Sequence, residues 1–181
     1  YGGQVESFNT HYAVISHNFF DSCISGVKLV TDSCRFEYNR FKRCIAMGLE
    51  IGGGGTVSNN HFHMWNYEQY DGSFSSAIHV IPFYKPGIIG EYINIVNNEI
   101  VCEGKICGID LDTHCFVYYN SVYQYDEDTV RFFASDYPVA IRLFPSTEQY
   151  KFSYNKNFVT SGQMVSGLQG SYSEDFLEHN N

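Results

Sequence analysis

Residues 36–41 read Phe-Glu-Tyr-Asn-Arg-Phe (FEYNRF), an apolar residue three places before an asparagine and another two places after it. The same arrangement recurs as VISHNFF at 14–20, VSNNHF at 57–62, INIVNNEI at 93–100 and FVYYNSV at 116–122, and FSYNKNF at 152–158 keeps the first apolar residue but has Asn157 two places after its asparagine. Aligning Asn18, Asn39, Asn60, Asn98, Asn120 and Asn155 gives spacings of 21, 21, 38, 22 and 35 residues, a period near 21 interrupted by insertions. A fixed period of this length marks a stack of structural repeats. A further copy begins at FLEHNN, residues 176–181, so the chain is expected to be a fragment of a longer array.

A second motif follows the asparagines, a small residue and then two aliphatic residues flanking a variable one. It reads GVKL at 26–29, GLEI at 48–51, AIHV at 77–80, GIDL at 108–111 and AIRL at 140–143. Together the two motifs resemble the right-handed parallel β-helices of pectate lyases, many other polysaccharide-cleaving enzymes, NosD-like proteins and phage tailspikes. The resemblance implies an all-β, right-handed single-stranded parallel β-helix, a solenoid with coils of about 21 residues and two long insertions, in one domain over residues 1–181. It implies less about activity, because unrelated chemistries share this scaffold.

Strand alternation assigns the sides of each repeat. Ile15, Phe36, Val57, Ile95, Val117 and Phe152 stand three before an asparagine, and Phe20, Phe41, Phe62, Ile100 and Val122 stand two after one; both sets are predicted to point inward. Parallel strands lie about 4.8 Å apart, so each set becomes a column, with Phe20, Phe41 and Phe62 forming an aromatic stack. The asparagines are expected to form a column of their own at a turn, with their amides satisfying one another and the turn backbone. The glycine run at 52–55 reads as a corner and not as an interdomain linker.

Composition narrows the options. The net charge of −9 argues against nucleic acid, whose phosphates need a basic face. It also disfavours a polyanionic glycan, whereas a neutral polysaccharide or oligosaccharide fits the many tyrosines and the single Trp65 as surfaces for stacking sugar rings. No stretch is apolar over the roughly 20 residues of a membrane span, so the chain is not expected to be membrane-embedded. No charged leader precedes an apolar run, so a signal peptide is either absent or upstream of this sequence, and the resemblance to glycan-directed β-helices implies a secreted or virion-associated setting. Cys23 and Cys44 share one repeat position and Cys34 and Cys115 another, as expected of buried thiols in apolar columns; Cys102 and Cys107 complete the set. No CxxC pair or close Cys/His cluster points to a metal, and no cofactor is expected.

The second motif carries the candidate site. The variable residue between its aliphatics is Lys28, Glu50, His79, Asp110 and Arg142 in successive copies, all ionisable, and predicted to form one outward column, with Asp112 joining from the next outward position. Most glycosidases use a carboxyl pair, one donating a proton to the leaving oxygen and the other acting as base or nucleophile, about 5–9.5 Å apart. Glu50 and Asp110 flank His79 at about 10 Å between backbones and are read as the catalytic pair tuned by His79. Lys28, Arg142, Asp112, Trp65, Tyr67 and Tyr70 are read as substrate-binding, with Trp65 and the insertion tyrosines walling the column into a groove. The bland alternative is a solvated face of weak salt bridges.

Three functions fit these residues. One is a carbohydrate-active enzyme, a glycoside hydrolase or a lyase or glycosyl-transferring relative. Another is a tailspike or adhesin that binds a surface glycan, with a homotrimer as the expected assembly. The third is a structural β-helix segment without chemistry. The first is favoured because the ionisable column is unbroken.

Overall fold

The computed structural model describes residues 5–66, 75–82, 93–104, 106–112, 115–125, 139–143, 151–153, 156–159 and 163–166. They form an all-β fold, with no helix among the described residues. In chain order the strands are β1 (Val5–Thr10), β2 (Ala13–Ser16), β3 (Phe19–Asp21), β4 (Ser25–Glu37), β5 (Arg40–Cys44), β6 (Met47–Ser58), β7 (His61–Asn66) and β8 (Ser76–Val80). They continue as β9 (Ile93–Val96), β10 (Glu99–Gly104), β11 (Cys107–Leu111), β12 (Cys115–Tyr118), β13 (Ser121–Tyr125), β14 (Val139–Leu143), β15 (Lys151–Ser153), β16 (Lys156–Val159) and β17 (Gln163–Ser166).

These strands pair in parallel, each with its counterpart one repeat on. One ladder runs β1, β4, β6, β8, β11, β14, β17, and carries the small-aliphatic motif. A second runs β2, β4, β6, β9, β12, β15, ahead of the asparagines. Because β4 and β6 serve both, these two ladders make one eleven-stranded sheet. The third ladder, β3, β5, β7, β10, β13, β16, follows the asparagines and forms a separate six-stranded sheet.

The glycine run is a bend inside the unbroken strand β6, where the first ladder passes into the second. Gly53 and Gly55 sit at φ 104° and 125°, a region L side chains avoid. A Cβ on Gly55 would also lie 2.2 Å from the carbonyl oxygen of Cys34 in the repeat below.

The turn between the second and third ladders is where the asparagines act. Asn39 donates its backbone N–H and its side-chain amide to Oδ1 of Asn60, at 2.9 and 3.1 Å, and Asn60 does the same to Asn98 at 3.0 and 3.0 Å. Asn18 pairs so with Asn39, and Asn98 with Asn120. The other amide hydrogen reaches back a repeat, from Asn39 to the carbonyl of Ile15, Asn60 to Phe36, Asn98 to Val57 and Asn120 to Ile95. Four of these asparagines are at most 2 % exposed, so the bonds replace water that burial has removed. Asn155 lies outside the described residues.

The inward columns form the core. Phe36, Val57, Ile95 and Val117 are fully buried, as are Phe41, Phe62, Ile100 and Val122. Phe20, Phe41 and Phe62 stack with ring centroids 4.5 and 4.6 Å apart and near-parallel planes. Space for the rings comes from the first ladder: a Cβ on Gly26 would meet Phe41 at 2.6 Å, and one on Gly48 would meet Phe62 at 2.9 Å. Where the third ladder carries the smaller Ile100, the small position widens to Ala77.

Two stability measurements test this arrangement. Phe41→Ala removes the middle ring of the stack and should cost about 3–5 kcal/mol in urea unfolding; an unchanged midpoint would contradict its inward place. Asn60→Leu strands both donors of Asn39, removes the amide that reaches the carbonyl of Phe36, and leaves Asn98 Oδ1 with only the backbone N–H of residue 60. At about 1–3 kcal/mol per buried unsatisfied group, it should cost at least as much as Phe41→Ala.

Candidate functional site

Register alone brings the ionisable residues together. Lys28 pairs with Glu50 across β4 and β6, Glu50 with His79 across β6 and β8, His79 with Asp110 across β8 and β11, and Asp110 with Arg142 across β11 and β14. At the far end Lys28 pairs with Glu6 of β1, a member that motif reading missed because β1 reads Val-Glu-Ser and lacks the second aliphatic residue. In β17 the column position passes to Ser166.

The side chains give the row its chemistry. The ammonium of Lys28 and the carboxylate of Glu50 form an ion pair. His79 Nε2 lies 3.3 Å from Asp112 Oδ2 and 4.0 Å from Asp110 Oδ2, so one imidazole edge faces two carboxylates. The opposite nitrogen, Nδ1 of His79, is buried and has no hydrogen-bond partner.

Burial corrects one expectation. Asp110 was predicted to face outward and take part in catalysis, but its side chain is 1 % exposed. It therefore cannot touch a substrate directly in this arrangement. The carboxylates that reach the surface beside His79 are Glu50, 19 % exposed, and Asp112, 25 % exposed. Lys28 is also partly exposed.

Trp65 is corrected as well. Instead of a loop over the column it occupies β7, in register with Glu103 and on the six-stranded sheet. The strand simply runs further than the motif indicated. Tyr67 and Tyr70 lie outside the described residues. Arg142 is placed by strand register alone.

The six-stranded sheet holds two pairs that the repeat spacing hid. His61 Nδ1 is 3.0 Å from Glu99 Oε2, and His63 Nε2 is 2.7 Å from Glu103 Oε1. Each joins β7 to β10 across the insertion; His61 stands directly opposite Glu99, whereas His63 stands opposite Val101 and reaches Glu103 diagonally.

The six cysteines are free and buried. Burial pushes the thiols of Cys34 and Cys44 up to about 12, and raises those of Cys102 and Cys115 as well. Among the described residues, no group of three His, Cys, Asp or Glu side chains is arranged to hold a metal ion, and no helix is long and apolar enough to cross a membrane. Comparisons with protein-family models, with curated proteins and with solved structures find no match to this chain.

The cysteines make a chemical prediction. They should resist alkylation in the native protein and react on unfolding without added reductant. As the unfolded chain gives up thiol protons first, near the ordinary value of 9.0, while Cys34 and Cys44 in the fold hold theirs to about 12, stability should fall as pH rises between those values. Equal alkylation of native and unfolded protein would contradict the burial.

Proposed function

We propose that this chain is a right-handed parallel β-helix whose charged column cleaves glycosidic bonds in a neutral polysaccharide. The parallel pairing of each strand with its counterpart one repeat on supports a helical winding, and right-handed crossovers are the strong rule for parallel strands in one sheet. The observation that carries the functional reading is the His79 cluster: an imidazole edge facing the partly exposed carboxylate of Asp112 and the buried one of Asp110, with Glu50 at the surface on the neighbouring strand.

In this reading Glu50 and Asp112 replace Glu50 and Asp110 as the surface pair. They stand two strands apart and two residues offset, about 12 Å between backbones, a spacing from which side chains of this length can reach the roughly 6.5–9.5 Å of an inverting acid and base pair. Asp112, held by His79, protonates the glycosidic oxygen as its bond to the anomeric carbon breaks. Glu50 takes a proton from the water whose oxygen forms the new bond to that carbon. Asp110 is a positioning residue, a buried carboxyl group beneath His79, and Lys28 orients Glu50 through their ion pair.

One observation favours a second reading. Along the row Glu6, Lys28, Glu50, His79, Asp110 and Arg142 the sign of the potential charge alternates, which suits cross-strand ion pairs with no catalysis.

The two readings separate on mutation. For a polysaccharide that the protein cleaves, Glu50→Gln and Asp112→Asn should each lower turnover about 10²–10⁴-fold, with unfolding temperature little changed. Asp110→Asn should lower both, because its side chain is buried. Full turnover in both surface variants, or no cleavage of any neutral polysaccharide, would leave the column as a set of ion pairs.

A further inference from the structure

The outward face of the six-stranded sheet sorts its charges by strand. Alternation turns outward Arg40 and Lys42 of β5, His61, His63 and Trp65 of β7, and Glu99, Val101 and Glu103 of β10. Register sets Arg40, His61 and Glu99 in one row, Lys42, His63 and Val101 in the next, and Trp65 beside Glu103 beyond them. Thus β5 is cationic and β10, two strand spacings or about 10 Å away, is anionic, with a histidine strand between them.

Pairing within the chain does not account for this sorting. On the eleven-stranded sheet opposite charges sit on adjacent strands, as Lys28 and Glu50 do. Here β7 keeps Arg40 and Lys42 from Glu99 and Glu103, and among the described residues neither cation forms an ion pair. Asp21, opposite Lys42 on β3, is engaged by Arg43 at 3.4 Å. Glu99 and Glu103 each place one oxygen on a histidine, at 3.0 and 2.7 Å. A carboxylate offers about four acceptor sites, so both have room for a cationic donor. Large apolar side chains share the face, with Phe19 of β3 59 % exposed and Trp65 39 % exposed.

We propose that this face pairs with the same face of a second copy, about a two-fold axis that runs parallel to the strands over β7. Such an axis keeps strand direction and reverses strand order, so β5 of one copy lies on β10 of the other. Arg40 then meets the second copy's Glu99, and Lys42 falls between that copy's Glu99 and Glu103; symmetry repeats both contacts. Phe19 comes over β13, where Ser121 and Tyr123 continue the rows of Glu99 and Val101. His61, His63 and Trp65 lie on the axis and face their own copies. A two-fold axis along the stack would instead set β5 on β5, like charge on like. Five strands and five residues make a face of roughly 20 by 15 Å, which places the pair among small, transient interfaces. The charged column around His79 lies on the other sheet, so the proposal is independent of the glycan reading.

Sedimentation velocity from about 10 μM to about 1 mM protein covers the affinities of such interfaces. The chain should dimerise in about 20 mM salt and bind itself about ten-fold more weakly in about 500 mM, where exposed charges are screened. Arg40→Glu and Glu99→Arg should each weaken dimerisation about ten-fold or more, with unfolding temperature little changed because both residues are exposed. Mixed together, the two variants should pair as well as the parent, because each mixed dimer has opposite charges at both contacts. A monomer throughout the range, a trimer, a dimer indifferent to Arg40→Glu, or no recovery on mixing would overturn the proposal.

Discussion

The structure depends on the hydrogen bonds of one side chain repeated at one position. A ladder asparagine such as Asn60 accepts two bonds from Asn39 at its oxygen, donates one amide hydrogen to Asn98 and the other to the carbonyl of Phe36. It thus ties three successive repeats, and no other side chain of similar size has both an acceptor and two donors in one plane. Slipping any strand by one residue would break these bonds and turn its apolar side chains to the opposite face. The ladder and the core therefore enforce the same register.

That register is what assembles the charged row. Lys28, Glu50, His79 and Asp110 are distant in sequence, and they become neighbours because the aliphatic residues on either side of each are buried in columns. The insertions do not disturb this. After residues 67–74, Ser76 N–H bonds to the carbonyl of Ala46, and one repeat later Cys107 N–H bonds to that of Ser75. A long excursion is tolerated because its closing entropy grows slowly with length, while the parallel pairing that resumes is the same in each repeat.

Side-chain size is matched across the sheets in the same way. Gly26 and Gly48 leave the volume that Phe41 and Phe62 fill. The left-handed turn residues show the opposite case, where the backbone requirement is constant and the side chain varies: Asn59, Asn97 and His17 suit it better than Tyr38 and Tyr119.

By itself the sequence determined the repeat and its sides. Spacing of the asparagines placed the turns, alternation about them separated Phe36 and Phe41 from the outward residues, and the small-aliphatic motif aligned Glu50 with His79 and His79 with Asp110. These features are local or periodic, and a period can be read without coordinates. Only the tertiary structure decided how far each strand extends and what covers it. It carried β7 through Asn66 and so put Trp65 on the six-stranded sheet, paired His63 with Glu103 across an insertion, and buried Asp110 while leaving Asp112 partly exposed. Alternation distinguishes inward from outward, but exposure depends on neighbours remote in the chain, and no periodic pattern encodes them.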